Sequence, residues 1–175
     1  MVTAGIDIGS TTLKAIVMDQ QKNVLWKKYQ RHRARQAEKV AEFLEEIRDY
    51  VGAPFRLFTT GSGGSRIAGV LGTKYYQEVN ALCCAIENFH PDAGSVFELG
   101  GQDAKFIVWN DRKGKFATMN DRCAGGTGAT IDRIIMKLNL TEKDLSDMSY
   151  TPQKVYPVAG KCGVFAETDI NSLQK

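Results

Sequence analysis

Ala4-Gly5-Ile6-Asp7-Ile8-Gly9-Ser10-Thr11-Thr12-Leu13-Lys14 opens the chain with an apolar strand from Ala4 to Ile8, a break at Gly9-Ser10-Thr11, and a second apolar run from Thr12 to Met18. The break holds a glycine and hydroxyl residues, with Asp7 just before it. Backbone N–H groups in such a turn can face a phosphate, because glycine permits close approach and hydroxyls add donors. A carboxylate beside the turn can orient the water shell of Mg²⁺. The same residues also suit an ordinary hairpin turn, so this stretch alone leaves both readings open.

Working outward, a third strand runs from Asn23 to Tyr29 after Asp19-Gln20-Gln21-Lys22, and turns this tight predict an antiparallel meander. Val40, Phe43, Leu44, Ile47 and Val51 recur at helical spacing, which predicts a helix over Gln36 to Val51 with one buried face. Phe55 to Thr60 reads as a strand, Ser65 to Leu71 and Asn80 to Phe89 as helices, and Ser95 to Leu99, Ala104 to Trp109 and Lys115 to Met119 as strands. Ile131, Ile134, Ile135 and Leu138 give a further amphipathic helix after Gly128. Beyond Leu140 the pattern weakens until Glu167-Thr168-Asp169-Ile170-Asn171, which reads as the start of a last helix. Strands alternating with helices indicate an α/β protein.

Glu98-Leu99-Gly100-Gly101-Gln102-Asp103 repeats the arrangement of the first turn: a strand ends in an acid, glycines follow, and a new strand begins. Two such hairpins in one chain can grip one polyphosphate from both sides. The chain has no Gly-Lys-Ser/Thr of a P-loop, and neither turn reads G-x-G-x-x-G. In this pair of turns the sequence resembles the actin, Hsp70 and sugar-kinase superfamily of ribonuclease H-like ATPases. The resemblance implies a nucleotide in a cleft between two lobes, with Asp7 and Glu98 near its metal.

The four cysteines are Cys83, Cys84, Cys123 and Cys162. Cys123 precedes the glycine-rich Ala124-Gly125-Gly126-Thr127-Gly128, and Cys162 enters a second helical segment at Gly163-Val164-Phe165-Ala166-Glu167. A helix N-terminus favours a thiolate or an anionic cluster. Two such sites supply half the ligands of a [4Fe–4S] cluster, and a two-fold copy would supply the rest. Spacing alone is weak evidence, because two well-separated cysteines are more often inert buried residues. A four-cysteine zinc site lacks the usual close pairs.

Thr60-Gly61-Ser62-Gly63, Leu99-Gly100-Gly101-Gln102-Asp103-Ala104-Lys105, Met119-Asn120-Asp121-Arg122-Cys123-Ala124-Gly125-Gly126-Thr127-Gly128 and Cys162-Gly163-Val164-Phe165-Ala166-Glu167 together resemble, in order, the BadF/BadG/BcrA/BcrD ATPase family, which includes the activators of 2-hydroxyacyl-CoA dehydratases. The resemblance implies Mg²⁺-ATP on Gly9, Ser10, Thr11, Thr12, Lys14, Gly100, Gly101, Gln102 and Asp103, with Asp7, Glu98 and Gln102 as the catalytic groups. It also implies a homodimer with a [4Fe–4S] cluster on Cys123 and Cys162 of both chains. Its partners would be a CoA-ester dehydratase or benzoyl-CoA-reductase-type enzyme and a ferredoxin- or flavodoxin-type electron donor. A small-molecule kinase of the N-acetylhexosamine type is the competing reading, with Asp103 as its base, but it leaves the cysteines without a role. Two departures stand out: Glu98 replaces the usual Asp, and Gly64-Ser65-Arg66 stands where an Arg usually follows the glycine directly. The resemblance further implies a complete first lobe over residues 1–92 and a second lobe over 93–175 that stops short.

Composition bounds the rest. With 43% apolar and 25% charged residues the chain can bury a core, and a net charge of +3 argues for neither nucleic acid nor membrane as a partner. Lys27, Lys28, Arg31, Arg33 and Arg35 read as a solvated linker. No signal-peptide pattern and no membrane-length apolar run is present, so the expectation is a cytoplasmic protein with reduced thiols. Cys83 and Cys84 are expected in the core, Trp26 and Trp109 in packing, Asp144 and Asp147 on a solvated surface, and His32 and His90 without chemistry.

Overall fold

Thr3–Ile8 (β1) and Thr12–Met18 (β2) alternate buried and half-buried residues, which puts Ala4, Ile6, Ile8, Leu13, Ala15 and Val17 on one face. The register pairs Ile8 with Leu13, Ile6 with Ala15 and Ala4 with Val17, so the apolar residues meet across the strands. The structure, a computed structural model, describes residues 1–110, 114–120, 127–149, 155–160 and 162–173. It divides into two compact units, Met1–Gly94 and Ser95–Lys175.

In the first unit, Val24–Arg31 (β3), Arg56–Thr60 (β4) and Lys74–Tyr75 (β5) complete a sheet of order β3-β2-β1-β4-β5. β1, β2 and β3 form the antiparallel meander that the tight turns predict, and β4 runs parallel to β1. The apolar face is covered by Gln36–Glu46 (α1), which inserts Val40 and Phe43, and by Gly64–Leu71 (α2), which inserts Ile67. Trp26 closes the side, edge-on to Phe43 at 5.8 Å between centroids, a packing role as expected. Burying a side chain such as Phe43 stabilises by roughly 1.5–3 kcal/mol, so this face is what holds the unit together.

Several sequence expectations are corrected. The predicted helix over Gln36 to Val51 ends at Glu46, and turns carry the chain on while Ile47 stays buried against Ala4 and Val17. The basic stretch is no linker: Lys27, Lys28 and Arg31 belong to β3, Lys28 pairs with Glu46, and Arg35 pairs with Glu38. Glu78–Phe89 (α3) buries Cys83 but leaves Cys84 exposed, because adjacent helical residues point about 100° apart. β5 had no sequence signal, since two residues carry no period.

The second unit starts with an antiparallel sheet of Ser95–Leu99 (β6), Ala104–Asn110 (β7) and Gly114–Met119 (β8), with Ile107 fully buried. Gly128–Lys137 (α4), Glu142–Asp147 (α5) and Gly163–Leu173 (α6) follow. α5 was not anticipated, and its cap explains Asp144: Thr141 and Asp144 exchange side-chain and backbone hydrogen bonds as a capping box. Asp144 is therefore a structural acid rather than a merely solvated one, and Asp147 pairs with Lys143. α4 contacts α6 through an ion pair of Lys137 with Glu167, and that lysine holds the Glu167 carboxyl below the usual glutamate range. Among the described residues no helix is long and apolar enough to cross a membrane.

Candidate nucleotide-binding site

The two glycine turns are built alike, residue for residue. In the first, Asp7 lies opposite Lys14 across the hairpin, and Lys14 Nζ donates to Asp7 Oδ2 at 2.9 Å. In the second, Glu98 lies opposite Lys105, and Lys105 Nζ donates to Glu98 Oε2 at 2.9 Å. Each turn is closed from within: Gly9 N–H donates to Thr12 C=O at 2.9 Å, and Gly100 N–H donates to Asp103 C=O at 2.8 Å. The shared pattern is acid-x-Gly-x-x-x-x-Lys; Lys14 was among the expected phosphate contacts, but its counterpart Lys105, at the same spacing, was not. Hairpin geometry fixes that spacing, because the first and eighth residues face each other once the middle closes.

The pairs differ in burial. Asp7 and Lys14 are both substantially exposed, so their attraction adds little to stability. The Lys105 side chain is only 6% exposed, so its ammonium depends on Glu98 much more. In both hairpins the lysine holds the carboxylate beside the turn. Room for a Cβ is also lacking at both glycines: it would lie 3.1 Å from Thr12 O at Gly9 and 2.8 Å from Asp103 O at Gly100.

Thr60 pairs with Asp7 in the parallel register, which places the two side chains on the same face of the sheet. Its Oγ1 is buried and has no hydrogen-bond partner among the described residues, an atom with capacity left for a water or phosphate oxygen. Gly61 then turns the chain at φ 91°, where a Cβ would lie 2.4 Å from both Asp7 Oδ1 and Ile8 O. A side chain at this position would displace the acid. Gly63 N–H donates to Ile8 C=O at 2.9 Å, tying the start of α2 to β1. Beside it, Gln36, Ser62, Gly63 and Arg66 line a cavity of about 390 Å³, with Arg66 in the first turn of α2.

His32, to which the sequence reading gave no role, is buried behind the first turn. Ala34 N–H donates to its Nδ1 at 3.1 Å, so Nδ1 carries no proton and Nε2–H donates to Gly9 C=O, also at 3.1 Å. Gln36 Nε2 reaches the same carbonyl at 3.4 Å. The turn His32-Arg33-Ala34-Arg35 closes with Arg35 N–H on His32 C=O at 2.8 Å and holds Arg33 and Ala34 at positive φ. Non-glycine residues in that region cost on the order of 1 kcal/mol or more each.

In the second unit the turn is fastened to a helix. Gly128 N–H donates to Gly100 C=O, Ala129 N–H to Gly101 C=O, and Thr127 Oγ1 to Gly101 C=O at 3.1 Å. The first N–H groups of α4, which have no partner inside the helix, are satisfied by the turn. Asn120 brackets Ala104 just after the turn, its N–H donating to Ala104 C=O and its side-chain oxygen accepting from Ala104 N–H. Cys162 is half-buried immediately before α6, with its C=O accepting from Ala166 N–H at 2.9 Å. Cys123 lies outside the described residues. Ser10 and Thr11 are half-buried, Thr12 is buried, and Gln102 and Asp103 are exposed.

Residues 4–175 match the BadF/BadG/BcrA/BcrD ATPase family. The chain is 29% identical over 174 residues to the (R)-2-hydroxyglutaryl-CoA dehydratase activating ATPase of Acidaminococcus fermentans, covering 97% of this chain and 66% of that protein. It is 31% identical over 182 residues to a component of the benzoyl-CoA reductase of Thauera aromatica, covering 98% of this chain and 63% of that one. The crystal structure of component A of the Acidaminococcus fermentans (R)-2-hydroxyglutaryl-CoA dehydratase superimposes with a TM-score of 0.78 at 27% identity, over 99% of this chain and 68% of that one. The chain thus spans about two thirds of the length of these relatives. The α/β fold of actin/Hsp70/sugar-kinase type that the two turns implied is borne out.

Proposed function

The chain belongs to the BadF/BadG/BcrA/BcrD ATPase family, and from that premise we propose that it is an ATP-hydrolysing activase that passes a low-potential electron to a CoA-ester dehydratase or reductase. The duplicated acid-x-Gly-x-x-x-x-Lys hairpin carries the reading. Each turn, with its carboxylate, closed backbone and lysine, suits a Mg²⁺-bound phosphate.

Asp7 and Glu98 would each face a metal's water shell, and Lys14 and Lys105 would each turn from its carboxylate toward phosphate oxygens as charge arrives. The backbone of Gly9, Ser10 and Thr11 and of Gly100 and Gly101 would approach the phosphates, with the Thr12 carbonyl closing the first turn. Gln102 and Asp103, both exposed, are free to meet the attacking water. The Oγ1 of Thr60, without a partner among the described residues, would bind a water or phosphate oxygen beside the first turn.

Cys162, half-buried at the N-terminus of α6, suits a thiolate ligand of a [4Fe–4S] cluster, and Cys123 just before α4 would be its companion. Two chains would complete the four ligands. When bound, the cluster supplies the single electron. The chain's own part is mechanical. The second turn's carbonyls hold the first N–H groups of α4, and Lys137 joins α4 to Glu167 of α6. A change of phosphate charge at Gly100-Gly101 would therefore bear on both helices that begin beside the cysteines. A ferredoxin- or flavodoxin-type protein would supply the electron.

Anaerobic purification of the full-length protein tests this. The expected product is brown, with about four iron and four sulfide per dimer. Cys123→Ser or Cys162→Ser should abolish the iron, while Cys83→Ser and Cys84→Ser should keep it. Colourless protein, or iron lost equally in all four variants, overturns the electron-transfer reading. The kinase reading is not favoured, because the relatives of named function that align over nearly the whole chain are activators and a reductase component.

A further inference from the structure

We propose that His32 is a positioning residue for the first phosphate turn, setting ATP affinity by holding the Gly9 carbonyl without touching the nucleotide. The inference rests on the reading of that turn as a phosphate site. Gly9 has two backbone groups, and they point to different partners. Its N–H is used inside the turn, on Thr12 C=O. Its C=O is taken by His32 Nε2–H and, at longer range, by Gln36 Nε2. A peptide oxygen left to swing into the turn would face the phosphates with a partial negative charge and repel them. Pinning it keeps the donors of the turn as its only electrostatic face.

The device is directional because the ring has two ends. Nδ1 accepts from Ala34 N–H, which makes Nε2 the donor. The acceptor side exists because Arg33 and Ala34 adopt positive φ and aim the Ala34 N–H back at the ring. His32 N–H also donates to Thr11 C=O at 3.3 Å, so the same residue engages the turn by backbone and by side chain. A buried imidazole, two left-handed residues and a carbonyl with two donors converge on one glycine, which a mere hairpin does not require.

The two ring functions can be separated by substitution in the full-length protein. Gln places an amide N–H near the Nε2 position and keeps the donor to Gly9. Phe fills the volume and keeps neither function. Isothermal titration with Mg²⁺-ATP and steady-state ATPase kinetics are the readouts. His32→Phe should weaken ATP binding about tenfold, the equivalent of ~1.4 kcal/mol, on the scale of one hydrogen bond to a buried acceptor. The loss should fall on KM, with kcat at saturation changing by less than about threefold. His32→Gln should recover most of the affinity. Spectra of ¹⁵N-labelled histidine should show a His32 ring with Nδ1 unprotonated and Nε2 protonated in the wild-type chain. Wild-type affinity in His32→Phe overturns the proposal. Equal losses in the Phe and Gln variants, tracking their melting temperatures, also overturn it by reducing His32 to a packing residue. Gly9→Val separates the premise: if it binds ATP as well as wild type the phosphate reading fails, and if it alone loses ATP only the role of His32 fails.

Discussion

Gly61→Ala perturbs the joint between β4 and the first turn with the smallest possible change. At φ 91° an L-residue is strained by roughly 1–2 kcal/mol before any contact is considered. The new Cβ would lie 2.4 Å from Asp7 Oδ1 and 2.4 Å from Ile8 O, where real Cβ atoms keep beyond 3.0 Å. Asp7 could swing away only by leaving Lys14, and Ile8 C=O is fixed by the N–H of Gly63 at 2.9 Å. Overpacking of this kind costs about 1–3 kcal/mol, and loss of the Gly63 bond about 1 kcal/mol more. The expected total is about 3–6 kcal/mol. For a unit the size of Met1–Gly94, each kcal/mol lowers Tm by roughly 4–8 °C, so thermal melting followed by circular dichroism should fall by at least about 12 °C. Gly69→Ala is the control. It lies exposed inside α2 with nothing near its Cβ position, and it should raise stability by about 0.5–1 kcal/mol. A Gly61→Ala protein melting within about 4 °C of wild type would refute the argument that this glycine exists to clear Asp7.

Gly100→Val would set its Cβ against Asp103 O at 2.8 Å and open the second turn; Mg²⁺-ATP titration of the full-length protein should show binding lost while the far-UV spectrum is retained. Glu98→Gln strips the charge opposite the buried Lys105, and because Glu98 itself is partly exposed the cost should be about 1–2 kcal/mol, read as a lower urea midpoint. The Glu167 carboxyl is lowered by its bond from Lys137, so its contribution is present above the ordinary glutamate pKa near 4.5 and is lost as pH falls through the lowered folded value. Protection of the α6 amides against hydrogen exchange, taken relative to their intrinsic rates, should therefore fall as pH drops below the ordinary glutamate value, and Glu167→Gln should flatten that acid limb; an unchanged limb would mean that other acids carry it.

The alternating apolar strands and the 3.6-residue periods made nearly every long element legible from residues alone, because burial on one face leaves a period in the sequence. Turn chemistry was legible for the same local reason: Gly9 and Gly100 break strands beside an acid, and the meander follows from short connections. The cysteine block was legible only as a resemblance, since its two members stand 39 positions apart in a chain without a C-x-x-C pair. Other features depended on residues that sequence spacing does not join. The pairing of Asp7 with Lys14 and of Glu98 with Lys105 required the hairpin registers. His32 looked isolated because its partner Gly9 lies 23 residues away and is reached only when β3 folds back beside β2. The exposure of Cys84, the orphaned hydroxyl of Thr60 and the cap at Asp144 were likewise settled by packing. Period and turn propensity are properties of neighbours along the chain, whereas burial, register and hydrogen-bond satisfaction are set by what the fold brings alongside.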